Sequence, residues 1–145
     1  MENISGAQFA RLLLGAFDSL VDEVLAELAR AGHPELSVAN EFAMQAIDAG
    51  AASASSLARA LGVTRQAAAK TIHALEKLDY VGRTSDETDA RRKALVLTER
   101  GREAIAIGAA AFDVAYREWC SVVGEDRASI VAEALRAIGL RNGAV

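Results

Sequence analysis

Arg65, Gln66 and Lys70 stand at the start of an amphipathic segment, and Arg91-Arg92-Lys93 form a second basic run. Arginine can donate two hydrogen bonds to a guanine edge, and glutamine can make two with an adenine. Lysine and arginine also neutralise phosphates. Ser53 and Ser55 bring hydroxyls to the start of another helical segment, where free N–H groups and the helix dipole suit a phosphate. Together these residue types suit contact with a nucleic acid better than bond-breaking. Ser53 has a second reading as a plain helix cap. His73 and Lys77, further along the stripe of Lys70, read best as solvated side chains.

The charge balance agrees only when it is taken by segment. The chain of 145 residues carries net −4. Residues 1–58 hold 2 basic and 8 acidic groups, residues 59–102 hold 10 and 6, and residues 103–145 hold 4 and 6. A basic middle between acidic ends fits a local anionic partner, with a merely solvated basic face as the alternative.

Composition removes several classes of function. The chain is 52% hydrophobic, too apolar for a disordered chain, and its length suits one compact domain. A single Cys leaves no intrachain disulfide, and two His leave little for a metal site, so no cofactor is expected. No phosphate loop, nucleophile elbow or paired-carboxylate signature is present, so no enzyme is expected. The first residues lack the basic start of a signal peptide, and no apolar run nears the roughly 18 residues that cross a bilayer. The expected location is the cytoplasm, with no membrane partner.

The elements that must position the basic residues follow from periodicity. Phe9, Leu13, Phe17, Leu20, Val24 and Leu28 predict a helix over 7–31, and Leu12, Leu14, Val21 and Leu25 widen its stripe beyond the need of one core. Ser37 caps a helix over 38–49 with Phe42, Ala43, Ala46 and Ile47 inward. Ser53 or Ser55 opens a short helix to Leu61, and Gly62 ends it. Thr64 caps a helix over 65–78 whose inward stripe is Ala68, Ile72, Leu75 and Leu78. Two strand-like runs, 80–84 and 94–97, flank a charged tip and predict a hairpin. Thr98 caps a long helix to Val123, with Ile105, Phe112, Tyr116, Trp119 and Val123 on one side, and a last helix covers 126–140. Two helices around Leu61-Gly62-Val63-Thr64 form a helix-turn-helix, with Val63 plugging the angle, and the hairpin makes it a winged helix. Its second helix would enter the major groove of double-stranded DNA.

The stretches LARALGVTRQAAAKTIHALEKLDYVGR and DETDARRKALVLTERG carry a further pattern, in which Asp86, Asp89, Arg91, Leu95, Leu97, Thr98 and Gly101 keep a fixed register. From Leu57 to Gly101 the sequence resembles the MarR family of winged-helix transcription regulators. The resemblance implies a mainly α fold with a small β-hairpin wing, a winged helix-turn-helix plus a helical dimerisation region. It implies a homodimer on a pseudo-palindromic operator, acting as a repressor released by a small-molecule effector. Residues 1–35 and 101–145 would then dimerise, in one intertwined domain with the winged helix of 36–100. Asp89 would brace the wing through a salt bridge, and Arg91 would enter the minor groove with Arg92 and Lys93 nearby. Three positions depart from the pattern: Ala90 where Arg is frequent, Glu87 where Pro is frequent, and Asp79 where a turn Gly is common.

The expected DNA-contacting set is Ser53, Ser55, Thr64, Arg65, Gln66, Lys70, Arg91, Arg92 and Lys93. Candidate effector-lining residues are Phe17, Phe42, Met44 and Phe112, each of which also reads as core. Cys120 next to Trp119, with Arg117 three residues back, leaves thiol-oxidation control open, although buried and inert is the default for such a thiol. The rival functions are a winged-helix module that binds protein and a DNA binder that takes no ligand.

Overall fold

The computed structural model describes residues 3–85 and 93–141. The described elements run α1 (Gly6–Arg30), α2 (Val38–Asp48), α3 (Ala54–Leu61), α4 (Arg65–Lys77), β1 (Val81–Ser85), β2 (Lys93–Leu97), α5 (Glu99–Val123) and α6 (Glu125–Arg141). Each of the first five helices starts at a capping side chain. Ser5, Ser37, Ser53, Thr64 and Thr98 accept from the backbone N–H three residues on. Each cap satisfies a donor that the helix itself leaves free. The expected start of α3 is thereby settled at Ser53.

Two tight turns need a left-handed residue. Gly62 ends α3 at φ 66° and lets the chain swing directly into α4. Asp79 holds φ 64° between α4 and the hairpin. This is why a glycine suits that place, and why a short polar residue is the tolerated substitute. The hydroxyl of Thr98 donates to the Asp79 carbonyl at 2.6 Å and ties the turn to α5.

The core lies where α2, α3, α4 and the hairpin meet the C-terminal half of α1 and the start of α5. Val24, Leu28, Met44, Ile47, Leu57, Ile72, Leu75, Tyr80, Leu95 and Leu97 are all buried there. The hairpin is antiparallel, with Val81 opposite Leu97 and Ser85 opposite Lys93. The N–H of Leu95 also donates to the Ala52 carbonyl, which anchors the hairpin to the turn before α3.

Two expectations change, and one helix gains detail. Val63 does not plug the helix-turn-helix angle; it is 45% exposed, and Leu57, Ala58, Ala68 and Ile72 fill the space. Phe42 does not point inward; it stands half in solvent and stacks on Phe112 of α5. The fully buried positions of α5 are Gly101, Ala104, Gly108 and Ala115, while Ile105 and Phe112 of the apolar side are partly buried against the core. Small side chains let neighbouring backbone come close. A Cβ at Gly101 would run into the Tyr80 carbonyl, and one at Gly108 into the Glu41 carboxylate.

Tyr80 links three parts of the fold. Its ring is buried, its hydroxyl lies 2.8 Å from Nδ1 of His33, and Arg100 Nη2 donates to that hydroxyl at 3.1 Å. The guanidinium of Arg100 also sits 4.7 Å over the ring. With Arg100 donating to the phenol oxygen, the phenol proton is free to bond His33.

Away from this core a large apolar face is open. Phe9, Leu12, Leu13, Leu14 and Phe17 on α1 and Ile130, Val131, Leu135 and Ile138 on α6 are all exposed. Between them lies an apolar hollow of about 400 Å3 lined by Leu13, Phe17, Leu20, Trp119, Val131 and Leu135 among others. Single exposed apolar residues are ordinary, but a contiguous face of this kind marks an interaction site. Among the described residues no helix is long and apolar enough to cross a membrane.

Candidate nucleic-acid interface

Thr64 and the left-handed Gly62 set where α4 begins, and that start places the basic residues. Arg65 and Gln66 occupy the first turn of α4, and Lys70 follows one turn later. Ala68, Ile72 and Leu75 hold the opposite side of α4 in the core. Arg65, Gln66, Lys70, His73 and Lys77 are consequently exposed, as the helical period requires. Among the described residues, none of Arg65, Gln66 and Lys70 has a side-chain hydrogen bond or ion pair. Their donors are therefore open to a ligand.

The remaining basic residues of the middle segment divide into two groups. Arg83 pairs with Glu76 at 3.1 Å, across exposed surface where such a pair is worth under about 1 kcal/mol. Arg100 is taken up by Tyr80, and Arg102 donates to the Leu97 carbonyl at 2.9 Å. These three brace the hairpin and the start of α5. Arg59, in the last turn of α3, is exposed on the helix-turn-helix and was not among the expected contacts. Its signal in the sequence was only its charge, which composition alone could not assign to a face.

The hydroxyl positions are mostly committed to capping. Ser53 Oγ accepts from Ser56 N at 3.1 Å and lies 3.0 Å from Ser56 Oγ. Thr64 Oγ1 accepts from Ala67 N at 3.1 Å. Ser55 is exposed in the first turn of α3. Lys93 is exposed at the start of β2. Asp86, Asp89, Arg91 and Arg92 lie outside the described residues.

The four effector candidates do not form one cavity. Phe17 lines the hollow between α1, α5 and α6. Phe42 and Phe112 stack with centroids 6.0 Å apart over a second hollow between α2 and α5. Met44 is fully buried in the core. Cys120 is partly buried. Its hydrogen bond to Tyr116, then the charge its thiolate would carry, hold the Tyr116 phenol above its ordinary pKa.

Glu41 was not singled out in the sequence, yet it is a buried acid of the fold. It is fully buried between α2 and α5, and neither carboxylate oxygen has a hydrogen-bond partner among the described residues. Desolvation raises its pKa from 4.5 to about 7. Between these values the folded chain keeps a proton that the unfolded chain has lost. Stability therefore falls as pH rises through this window, by up to about 3 kcal/mol above it. Glu41→Gln is expected to be more stable than the native chain at about pH 8, by up to about 3 kcal/mol, with the gain gone below about pH 4. Urea unfolding at the two pH values measures this, and a gain independent of pH would remove the buried-ionisation account.

Residues 43–92 match the family model described as the MarR family. The match runs from α2 through the helix-turn-helix and into the segment after β1. Over these residues the chain has the MarR-family pattern on a winged helix. No curated protein sequence matches the chain. Solved structures of the same fold do. The transcriptional repressor CouR, bound to a 23-mer DNA duplex, is 22% identical, with a TM-score of 0.76 over 94% of this chain and 92% of that one. CouR from Rhodococcus jostii RHA1, bound to p-coumaroyl-CoA, is 20% identical, with a TM-score of 0.68 over 92% of each chain. FabT of Streptococcus pneumoniae, in complex with DNA, is 18% identical, with a TM-score of 0.72 over 92% of this chain and 94% of that one. The fold is thus that of MarR-family transcription regulators, with α4 as the second helix of the MarR helix-turn-helix.

Proposed function

We propose that the chain is a homodimeric, sequence-specific DNA-binding regulator that represses transcription and is released from its operator by a small ligand. The observation that carries this reading is the open basic end of α4. Arg65, Gln66 and Lys70 stand exposed and without a described partner on the helix that the fold presents outward. Arg65 and Gln66 read base edges, and Lys70 holds a phosphate. Ser55 and the capping hydroxyls of Ser53 and Thr64 donate to phosphates beside them. Arg91, Arg92 and Lys93 reach the adjacent minor groove, with Asp89 bracing the wing. Two similar folds were solved bound to DNA, which supports DNA as the partner.

A second copy supplies the missing cover for the apolar face of α1 and α6. Residues 1–35 and 101–145 form the dimerisation region, and 36–100 the reading head. The two α4 helices then enter successive major grooves about 34 Å apart, so the operator is an inverted repeat. With about six phosphates neutralised per dimer, log K falls with log salt at a slope of roughly −5. The ligand acts by binding better to a dimer whose α4 spacing misfits DNA. One relative was solved with such a small molecule bound, which supports this step.

Selection of binding sites from a random duplex pool at near-physiological salt tests the reading. Enrichment of an inverted repeat with half-sites about one turn apart is the expected result. No enrichment from a protein that native mass measurement finds dimeric and ligand-free overturns it in favour of a protein-binding winged helix.

A further inference from the structure

We propose that the hollow between α2 and α5, over the Phe42–Phe112 stack, binds a small aromatic organic cation. This deepens the ligand-release reading above and rests on it. The hollow measures about 470 Å3, within the range of sites that take small organic molecules. One wall is apolar, formed by the two stacked rings, 17° from parallel, with Ile105 beside them. The polar wall is Asp48, Asp113 and Gln45. Among the described residues no Lys, Arg or His lines it. Among the described residues neither aspartate has a cation within ion-pair distance.

A third carboxylate lies in the same seam. Glu41 meets Gly108, which stands one turn of α5 from both Ile105 and Phe112 and so shares their face. Glu41 is fully buried and unpartnered among the described residues. Burial holds a proton on Glu41 up to about pH 7, and a positive charge brought into the seam favours its ionised form. The charge of the occupant follows from these groups. An anion would meet the two lining carboxylates, Asp48 and Asp113, and no described cation. A neutral aromatic would gain the rings but nothing from the acids. A flat cation gains both, since ring faces attract positive charge. The seam joins α2 of the winged helix to α5, so an occupant there bears on how the reading head sits against the helices outside it.

Fluorescence anisotropy of the ethyl ester of rhodamine, an aromatic cation, titrated with the purified full chain is the test. Fluorescein, an anion with the same tricyclic core, is the comparison. The cation is expected to bind at least about tenfold more tightly than fluorescein. The double variant Asp48→Asn, Asp113→Asn keeps the shape of both exposed side chains. It is expected to lose about tenfold in affinity for the cation and to keep operator binding without dye. Phe112→Leu is expected to weaken the cation as well. Equal binding of the two dyes, or unchanged affinity in the double variant, overturns the proposal. So does a dimer that binds neither dye, as when a second copy covers the hollow. Operator binding by the same sample reports separately on the regulator reading. A chain that binds operator but not the cation loses only the ligand assignment. One that binds the cation as described but no operator keeps the site and loses the regulator.

Discussion

Arg65→Ala is expected to weaken operator binding by about 1–3 kcal/mol per half-site and to relax base preference at one position in each. Arg65 is the first residue of α4, directly after the Thr64 cap, and is exposed with no described partner. A side chain so placed leaves the open end of the helix without giving up any internal contact. Its removal should therefore leave stability within about 0.5 kcal/mol of the native chain. The two half-sites are far apart, so their losses add to about 2–6 kcal/mol for the dimer. Arg65→Lys separates charge from geometry. Lysine keeps the phosphate attraction but not the planar pair of donors, so base preference should fall while the salt slope stays. Competition between the selected operator and duplexes changed at single positions measures both. If Arg65→Ala discriminates among those duplexes as the native chain does, α4 is not read from this end.

Phe17→Glu is expected to turn the dimer into a monomer and to lower operator affinity by about 100- to 10,000-fold through loss of bivalent binding. Phe17 is 41% exposed in the single chain and lines the apolar hollow with Leu13, Leu20, Trp119, Val131 and Leu135. A carboxylate there is solvated in the monomer but unpaired and buried once a second copy covers the face. The helix content of the variant should be kept, because the core around Val24 and Leu28 is untouched. Native mass spectrometry gives the oligomeric state, and circular dichroism shows that the monomer is folded. A folded Phe17→Glu dimer with native operator affinity would place the interface elsewhere.

Local features of the chain were legible because their causes are local. Ser37, Thr64 and Thr98 announce helix starts, since each needs only its own hydroxyl and an N–H three residues on. Gly62 announces the turn because its backbone conformation is costly for other residues. The exposure of Arg65, Gln66 and Lys70 followed from the period of α4, given that Ala68 and Ile72 face inward. The over-wide stripe of the first helix was equally readable: Phe9, Leu13 and Phe17 are too many apolar residues for one core, and they stand uncovered.

What failed to be legible depends on partners distant in sequence. Size misled on α5, where Gly101 and Gly108 are fully buried, Phe112 only partly, and Tyr116 is exposed. A small residue is buried when another backbone or side chain comes close, and Tyr80 and Glu41 do so here. Phe42 reads as core by its neighbours but is held at the surface by Phe112, seventy residues away. Glu41 carries no mark of burial in its own segment.

The sequence by itself thus determined the order of elements, the helix-turn-helix and the basic end of its second helix. Each of these rests on hydrogen bonds and periodicity within a few residues. Only the tertiary structure decided which basic residues are already engaged, as Arg83, Arg100 and Arg102 are, and which remain open. It alone gathered Asp48 and Asp113 beside one aromatic stack and set Glu41 against Gly108, because helices distant in sequence meet only through packing.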